Sequence, residues 1–199
     1  MSLLLAHLVF IIFGIVLLQT FKNYNFLSVI YVLTSMLSFI FAIYIFYNIE
    51  ILIGTKTTLL EIIPNVSINF SIDYLGSIFL LISNGLWFMT SIYSIKYLKL
   101  NRFSNEIKFY IFFVLSMFAT NAIIYSSNLL TTFIFYELLT KATYPLVTYK
   151  GNDASIINGK KYLYYLLGTS IVFLLPAIIF TSSQTGTLDY TQGGIFTDY

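Results

Sequence analysis

Six long apolar segments, each about the length of a membrane-spanning helix, dominate the sequence. A helix needs about 20 mostly apolar residues to cross a bilayer, because each residue advances it by only about 1.5 Å. Charged residues make up 9 % of the chain, against about 25 % in an ordinary soluble domain, so polar groups cannot cover a compact surface. We therefore expect an all-α integral membrane protein forming one membrane domain over residues 1–199. The predicted spans are residues 3–20, 26–48, 74–95, 109–125, 129–148 and 162–181.

Two connections between these spans have recognisable sequence signals. Residues 109–148 are too long for one crossing, and the Ser-Ser-Asn sequence at 126–128 favours a turn, because short polar side chains compete for backbone hydrogen bonds. A kinked single helix followed by a re-entrant segment would have a similar sequence. Residues 50–73 are predicted to form an extramembrane loop, with a short strand at 66–72.

The basic residues are distributed unevenly between the two sides of the predicted bundle. Eight of the ten lie in the connections that follow the first, third and fifth spans. The positive-inside rule places these connections in the cytoplasm, or in the matrix of an organelle, so both termini are expected on the outer side. The eight residues are Lys22, Lys96, Lys99, Arg102, Lys108, Lys150, Lys160 and Lys161.

The composition argues against several kinds of functional site. The chain has no cysteine, which excludes disulfides, thiolate nucleophiles and cysteine-ligated clusters. Its one histidine, His7, cannot form a multi-histidine metal site, and we expect it to be buried or interfacial. The basic residues flank spans rather than forming a patch, so nucleic-acid binding is not expected. With no nucleotide-binding glycine loop or flavin motif, we predict no cofactor, no bound metal and no redox site.

A carboxylate and an ammonium group, Glu137 and Lys141, lie four residues apart in the fifth predicted span. Glu137 is about 9 residues, or roughly 14 Å, beyond the predicted turn, near the middle of a hydrocarbon core about 30 Å thick. A charge at that depth costs on the order of 3 kcal/mol or more, and ionisable residues there usually mark ion or proton paths. The pair lies on one helix face in the favourable order. Either it neutralises itself so that the helix can insert, or Glu137 couples to proton movement with Lys141 as charge partner or modulator.

Other polar residues within the spans are predicted to have structural roles. Ser116, Thr120, Asn121 and Ser170 are expected to form hydrogen bonds between helices.

Two long stretches of the sequence resemble the antiporter-like membrane subunits. This family comprises the large subunits of Mrp-type sodium/proton antiporters and the homologous proton-pumping subunits of respiratory complex I. The resemblance lies in SSNLLTTFIFYELLTKATYPLVTYKG and NGKKYLYYLLGTS, and in a helix start of the Asp-x-Leu-Gly type at Asp73, Leu75 and Gly76. It covers roughly residues 59–191, and the D-type Mrp subunit is the most similar member.

The resemblance implies that Glu137 corresponds to the family's essential glutamate in the fifth helix, which pairs with a lysine on a broken seventh helix. Family members have many more helices, arranged in inverted repeats. The chain is therefore expected to be the amino-terminal portion of such a fold, with a partner polypeptide supplying the missing helices. Position 141 is usually apolar in these relatives. Lys141 could replace the missing lysine, or it could hold Glu137 ionised and prevent switching.

The expected function is that of a subunit in a complex that translocates protons and monovalent cations, with other membrane subunits, the lipid bilayer, protons and sodium as partners. It could belong to a proton-translocating NADH:quinone oxidoreductase. The alternative is a structural, non-translocating truncated paralogue within the membrane arm of complex I or within an Mrp-type assembly. The expected location is the bacterial or the mitochondrial inner membrane.

Overall fold

A computed structural model of the protein describes residues 2–21, 24–63, 66–101, 105–191 and 193–196. Lys22 and Arg102, two of the basic residues used in the topology prediction, lie outside the described residues.

The described chain is mostly helical, with one two-stranded antiparallel hairpin between its second and third long helices. A π-helical segment, Ser170–Leu174, joins the last two helices without a break. The helices are α1 (Leu3–Thr20), α2 (Tyr24–Tyr47), α3 (Ile49–Leu52), α4 (Tyr74–Leu100), α5 (Glu106–Ile124), α6 (Leu129–Val147), α7 (Asp153–Thr169) and α8 (Leu175–Thr185). The strands are β1 (Thr57–Ile63) and β2 (Val66–Phe70).

Four helices begin at a polar residue whose side chain accepts a backbone N–H of the first turn, the usual way of satisfying a helix start. Asp73 accepts from Gly76 at 2.7 Å at the start of α4, and Asn128 accepts from Thr131 at 2.7 Å at the start of α6. The other two caps are Ser2 on α1 and Asn152 on α7.

All six predicted apolar segments are helical, and α5 and α6 are separate helices with a turn at residues 126–128. Five helical stretches are long and apolar enough to cross a membrane: Leu3–Thr20, Phe26–Tyr47, Tyr74–Leu100, Glu106–Ile124 and Asp153–Thr185. The remaining long helix, α6, is not among them, because its two charged residues and its threonines lower its hydropathy. The mostly helical architecture agrees with the prediction, and residues 50–73, predicted to form a loop with one short strand, contain the hairpin. The predicted strand at 66–72 is confirmed as β2 and has β1 as its partner.

The main helix bundle consists of α1, α2, α4 and α5, with α6 packed along α5. The helix formed by α7, the π-helical segment and α8 packs against α6. Most of its remaining surface is exposed and apolar, as at Tyr164, Tyr165, Val172, Phe173 and Ile179.

Two glycines allow close helix crossings, as small residues commonly do in membrane proteins. A Cβ atom at Gly14 on α1 would lie 2.5 Å from Cγ2 of Thr34 on α2. At Gly159 on α7 it would clash with Cγ2 of Thr148, which directly follows α6. Side chains at these two positions would therefore push the helices apart.

A small cap, formed by β2, the 126–128 turn and residues 188–190, holds the start of α6. Ser127 N–H donates to Asn69 O at 3.1 Å, and Tyr190 N–H donates to Ser127 O at 3.0 Å. The turn is thus hydrogen-bonded on both sides by extended chain. An exposed ion pair, Lys56 Nζ to Asp189 Oδ2 at 2.5 Å, links the start of the hairpin to the segment 188–190.

Candidate functional site

Glu137 lies on α6 with its side chain partly buried against the following helix. The hydroxyl of Ser170 donates a hydrogen bond to Glu137 Oε1. Ser170 is only 3 % exposed. Among the residues that the structure describes, Ser170 is the hydrogen-bond partner of Glu137, and none of them forms a salt bridge with this carboxylate.

Lys141 follows one helical turn after Glu137, and its side chain is exposed although its neighbours Thr140 and Ala142 are buried. The two charged groups do not form an ion pair, since the pair found within the described ranges is Lys56–Asp189. The structure thus brings Glu137 to Ser170 and leaves Lys141 on the outside of α6. The roles predicted for Glu137 and Lys141 stay predictions.

Three contacts follow one another along the antiparallel crossing of α6 and α7 and end at Glu137. The first is the close approach at Gly159, which lies against Thr148. The second is a 2.8 Å hydrogen bond between Thr143 Oγ1 and Tyr162 OH. The third is the Ser170–Glu137 hydrogen bond itself, so a small residue, a hydroxyl pair and the acid follow one another along the interface.

Ser170 is also the first residue of the π-helical segment. Its carbonyl oxygen accepts the N–H of Leu175, one residue further along than in an α-helix. Pro176 follows, and proline has no N–H to continue the α-helical ladder. Short π-helical segments inside helices are frequent at functional sites. Here the segment begins at the residue that hydrogen-bonds Glu137.

A second polar cluster, the histidine network, lies inside the main bundle and connects α1, α2, α4 and α5. His7 Nδ1 is 2.6 Å from the Tyr125 hydroxyl, and His7 Nε2 is 2.8 Å from Ser38 Oγ. Ser38 donates to Asn84 Oδ1 at 2.7 Å, and Asn84 Nδ2 donates to Asn121 Oδ1 at 2.7 Å. All five side chains are buried, with exposures of 0–1 %.

From Tyr125 through His7 and Ser38 to Asn84 the donors run in one direction, which determines the histidine tautomer. Ser38 has one proton and uses it on Asn84, so its oxygen must accept from His7 Nε2–H. Nδ1 of the neutral ring is then the acceptor of the Tyr125 hydroxyl proton. A relay along this chain would have to protonate the Asn84 amide oxygen, a very weak base, so the network is suited to joining helices rather than to passing protons through the bundle.

The sequence predictions for the polar residues were partly right. Asn121 and Ser170 do bond to other helices, and His7 is buried. In contrast, Ser116 and Thr120 donate to carbonyl oxygens of their own helix, at 2.8 and 2.9 Å. A hydroxyl can satisfy itself in this way, and sequence alone does not distinguish the two outcomes.

The remaining members of the polar clusters were missed by the sequence predictions. Ser38, Asn84 and Tyr125 were not singled out, and neither were two further α2–α4 hydrogen bonds. Tyr31 OH lies 3.0 Å from Ser94 Oγ, and Ser35 Oγ lies 2.7 Å from Ser91 Oγ. Polar residues recurring along one face of an otherwise apolar helix were the available signal.

Glu137 does not line the cleft beside the cap, and within the described ranges it is not part of a metal-binding cluster. A cleft of about 920 Å³ opens beside the cap, where Lys56, Asp73, Asp189 and Tyr190 contribute to its lining. Within the described ranges, no cluster of three or more histidine, aspartate or glutamate side chains could hold a metal ion.

Comparison with known sequences gives partial matches to two curated proteins, while no protein-family model matches the chain. It is 31 % identical over 97 residues to NADH-quinone oxidoreductase subunit N of Campylobacter jejuni (strain RM1221), covering 49 % of this chain and 21 % of that protein. It is 28 % identical over 123 residues to the putative antiporter subunit mnhA2 of Staphylococcus haemolyticus (strain JCSC1435), covering 62 % of this chain and 15 % of that protein. The matched region is thus about a fifth or less of each relative.

Two solved structures have a similar fold over nearly the whole chain. The archaeal membrane-bound sulfane sulfur reductase superposes with a TM-score of 0.75 at 22 % identity, over 94 % of this chain and 37 % of that chain. The Mrp complex from Dietzia sp. DQ12-45-1b gives a TM-score of 0.72 at 21 % identity, over 98 % of this chain and 20 % of that chain. The assignment to the D-type subunit stays a prediction, since the curated matches are to other subunits. The chain is a homologue of the antiporter-like membrane subunits, represented by NADH-quinone oxidoreductase subunit N and an Mrp-type antiporter subunit, over a part of their length.

Proposed function

We propose that this chain is a membrane subunit, or a part of one, in a complex that translocates protons and monovalent cations. In this proposal the Glu137 carboxylate binds and releases the transported or coupled proton. Homology to an antiporter subunit and to a complex I membrane subunit supports the general assignment. The similarity to parts of multisubunit membrane complexes supports an assembly with other membrane subunits.

The observation that carries the proposal is the environment of Glu137, which lies in the middle of α6 and is hydrogen-bonded to Ser170. Within the described chain it has no cationic partner. A partly buried carboxylate without a fixed counter-ion can exchange a proton, and a cation brought near such a group or withdrawn from it changes its proton affinity. A further helix carrying a lysine, supplied by a partner polypeptide, would provide such a cation.

The proposal includes six membrane spans, with α6 as the one that hydropathy alone does not identify. Its 19 residues correspond to a length of roughly 28 Å, close to a hydrocarbon core of about 30 Å. Packing against α5 on one side and α7 on the other supports a position inside the bundle. The charge distribution supports both termini on the outer side, and the bacterial or mitochondrial inner membrane is the proposed location.

Lys141 is proposed as a modulator rather than a fixed ion-pair partner. It lies about 6 Å further along the helix axis than Glu137, and its side chain is exposed on the surface of α6. From there it can meet a neighbouring subunit or extend toward lipid headgroups, as long basic side chains do.

The test is Glu137→Gln in the native assembly, with cation-dependent proton flux and assembly measured separately. We expect flux to fall by about a hundredfold or more, a typical effect of losing a positioned proton-transfer group, while assembly is preserved. Glu61→Gln, the same change at an exposed carboxylate on β1, is the matched control and should leave flux unchanged. Wild-type flux in Glu137→Gln would reject the transport role and favour the structural alternative.

A further inference from the structure

We propose that Ser170 is a positioning residue that hydrogen-bonds Glu137 in both of its protonation states, by turning its hydroxyl between the carboxylate and the Leu167 carbonyl. This inference rests on the proposed role of Glu137 in proton exchange and assigns the group that accommodates that exchange. It requires no movement of either helix.

The single hydroxyl proton of Ser170 has two possible acceptors, Glu137 Oε1 and the Leu167 carbonyl oxygen. Ser170 Oγ donates to Glu137 Oε1 and also lies 3.1 Å from Leu167 O with donor geometry. A serine has one O–H donor and two lone pairs, so it can serve one of these acceptors fully at a time. A carbonyl oxygen also has two lone pairs, so Leu167 O can accept the hydroxyl in addition to a backbone N–H.

The Ser170 hydroxyl can use one acceptor when Glu137 is ionised and the other when Glu137 is protonated. When Glu137 is ionised, Ser170 donates to the carboxylate. When Glu137 is protonated, its own O–H can donate to Ser170 Oγ, and the Ser170 proton turns to Leu167 O. One proton has been added and no covalent bond to Ser170 has changed. The Ser170 hydroxyl and the Glu137 oxygen that it faces keep a partner in both states, which matters because an unsatisfied polar group in an apolar interior is costly.

The other titratable side chains around α6 do not take over this role in the described structure. Tyr125 on the α5 side is bonded to His7, and Tyr162 on α7 is bonded to Thr143. None of the remaining ones hydrogen-bonds Glu137 within the described ranges. These are Tyr136, Lys141 and Tyr144 on α6, Glu106, Lys108 and Tyr110 on α5, and Asp153, Lys160, Lys161, Tyr164 and Tyr165 on α7.

The backbone at Ser170 supports a specialised role for this residue. The π-helical segment begins here, with Leu175 N–H bonded to Ser170 O. Ile171, which follows directly, is exposed, whereas Ser170 is buried against α6. The side chain that faces Glu137 therefore carries a hydroxyl group. The apolar side chain that follows it is exposed and could not form this hydrogen bond.

The test compares Ser170→Ala, which removes the hydroxyl, with Ser170→Thr, which keeps it. Infrared difference spectra of the assembled complex are recorded across pH, and the bands of Glu137 are identified by their loss in Glu137→Gln. We expect Ser170→Ala to shift the carboxyl C=O band and the carboxylate band of Glu137, and Ser170→Thr to restore both. Ser183→Ala is the matched control, because Ser183 is exposed on α8 and donates only to its own helix, at Phe180 O.

Three results would overturn the inference: unchanged Glu137 bands in Ser170→Ala, a shift in only one protonation state, or a single protonation state of Glu137 at every pH. The bands report the hydrogen bond whether or not the complex transports ions. Wild-type flux in Glu137→Gln would therefore reject the proposed function, while the infrared result decides the role of Ser170.

Discussion

His7 on α1 and Tyr125 at the end of α5 are 118 residues apart in sequence and are joined by a 2.6 Å hydrogen bond inside the helix bundle. Through Ser38 and Asn84 the same network reaches α2 and α4. The four helices of the main bundle are thus fastened together by neutral polar groups. The carboxylate of Glu137 lies outside this network, on the α6–α7 side of the molecule, so the residues that join the bundle helices are distinct from the residue proposed to exchange protons.

Removing the tyrosine hydroxyl should destabilise the bundle. Tyr125→Phe leaves His7 Nδ1 without a donor in a buried site, and an unsatisfied buried group costs about 1–3 kcal/mol. We expect a lower thermal midpoint for the assembled protein in lipid nanodiscs. Tyr47→Phe is the control, since Tyr47 is 81 % exposed, and it should have no measurable effect. Equal midpoints for Tyr125→Phe and wild type would contradict a stabilising role for the network.

The crossing of α1 and α2 should depend on the absence of a side chain at position 14. Gly14→Ala places a methyl group 2.5 Å from Thr34 Cγ2, and overpacking of this kind costs about 1–3 kcal/mol. The control is Gly168→Ala, where a Cβ meets nothing within 4 Å and the gain in helix propensity is about 0.5–1 kcal/mol.

A second substitution tests whether contact with the Thr34 side chain causes the loss of stability. In the Gly14→Ala background, Thr34→Ala removes the two atoms nearest to the added methyl group, so it should recover part of the lost stability. The measurement is again thermal unfolding. Strict additivity of the two changes would show that the atoms do not clash.

The exposed ion pair of the cap should matter little. Lys56 and Asp189 have side chains that are 42 % and 41 % exposed, and pairs of this kind contribute about 0.2–1 kcal/mol, less in high salt. Lys56→Ala should therefore lower stability slightly, and the difference from wild type should shrink as salt is raised. A large loss that does not respond to salt would mean that Lys56 acts by another route.

The assembled complex should contain a cation close to Glu137 that does not come from the described chain. A lysine or arginine of another helix is expected within about 4–6 Å of the carboxylate, the range over which an opposite charge changes proton affinity. A structure of the complex measures this distance directly. Lipid acyl chains around Glu137, with no such residue, would contradict the proposal.

Most of the helices were predictable because their signals are local. Apolar runs of the right length predicted the spans, and capping residues such as Asp73 and Asn128 lie where the sequence placed a helix start or a turn. Helix ends were less accurate, since α4 continues to Leu100 and the last helix begins at Asp153. The added residues form helical turns that contain charged side chains and lie outside the apolar runs. Hydropathy alone therefore does not predict them as part of the helices.

The partner of Glu137 was not predictable, because it depends on how two helices cross. Spacing along one helix suggested Lys141, four residues away, whereas the structure brings in Ser170 from the next helix. That contact depends on the close approach at Gly159 and on the turn between α6 and α7. Ser170 was recognised only as a hydrogen-bonding residue, since its sequence neighbours carry no information about the acid.

Whether Glu137 carries the translocated proton is tested by measuring proton flux driven by a cation gradient in proteoliposomes that contain the complete assembly. Wild type, Glu137→Gln and Glu137→Asp are compared at equal incorporation. We expect Glu137→Gln to lower flux by about a hundredfold or more, and Glu137→Asp, which keeps a carboxyl group at a shorter reach, to retain a reduced flux. Wild-type flux in Glu137→Gln would contradict this role of Glu137.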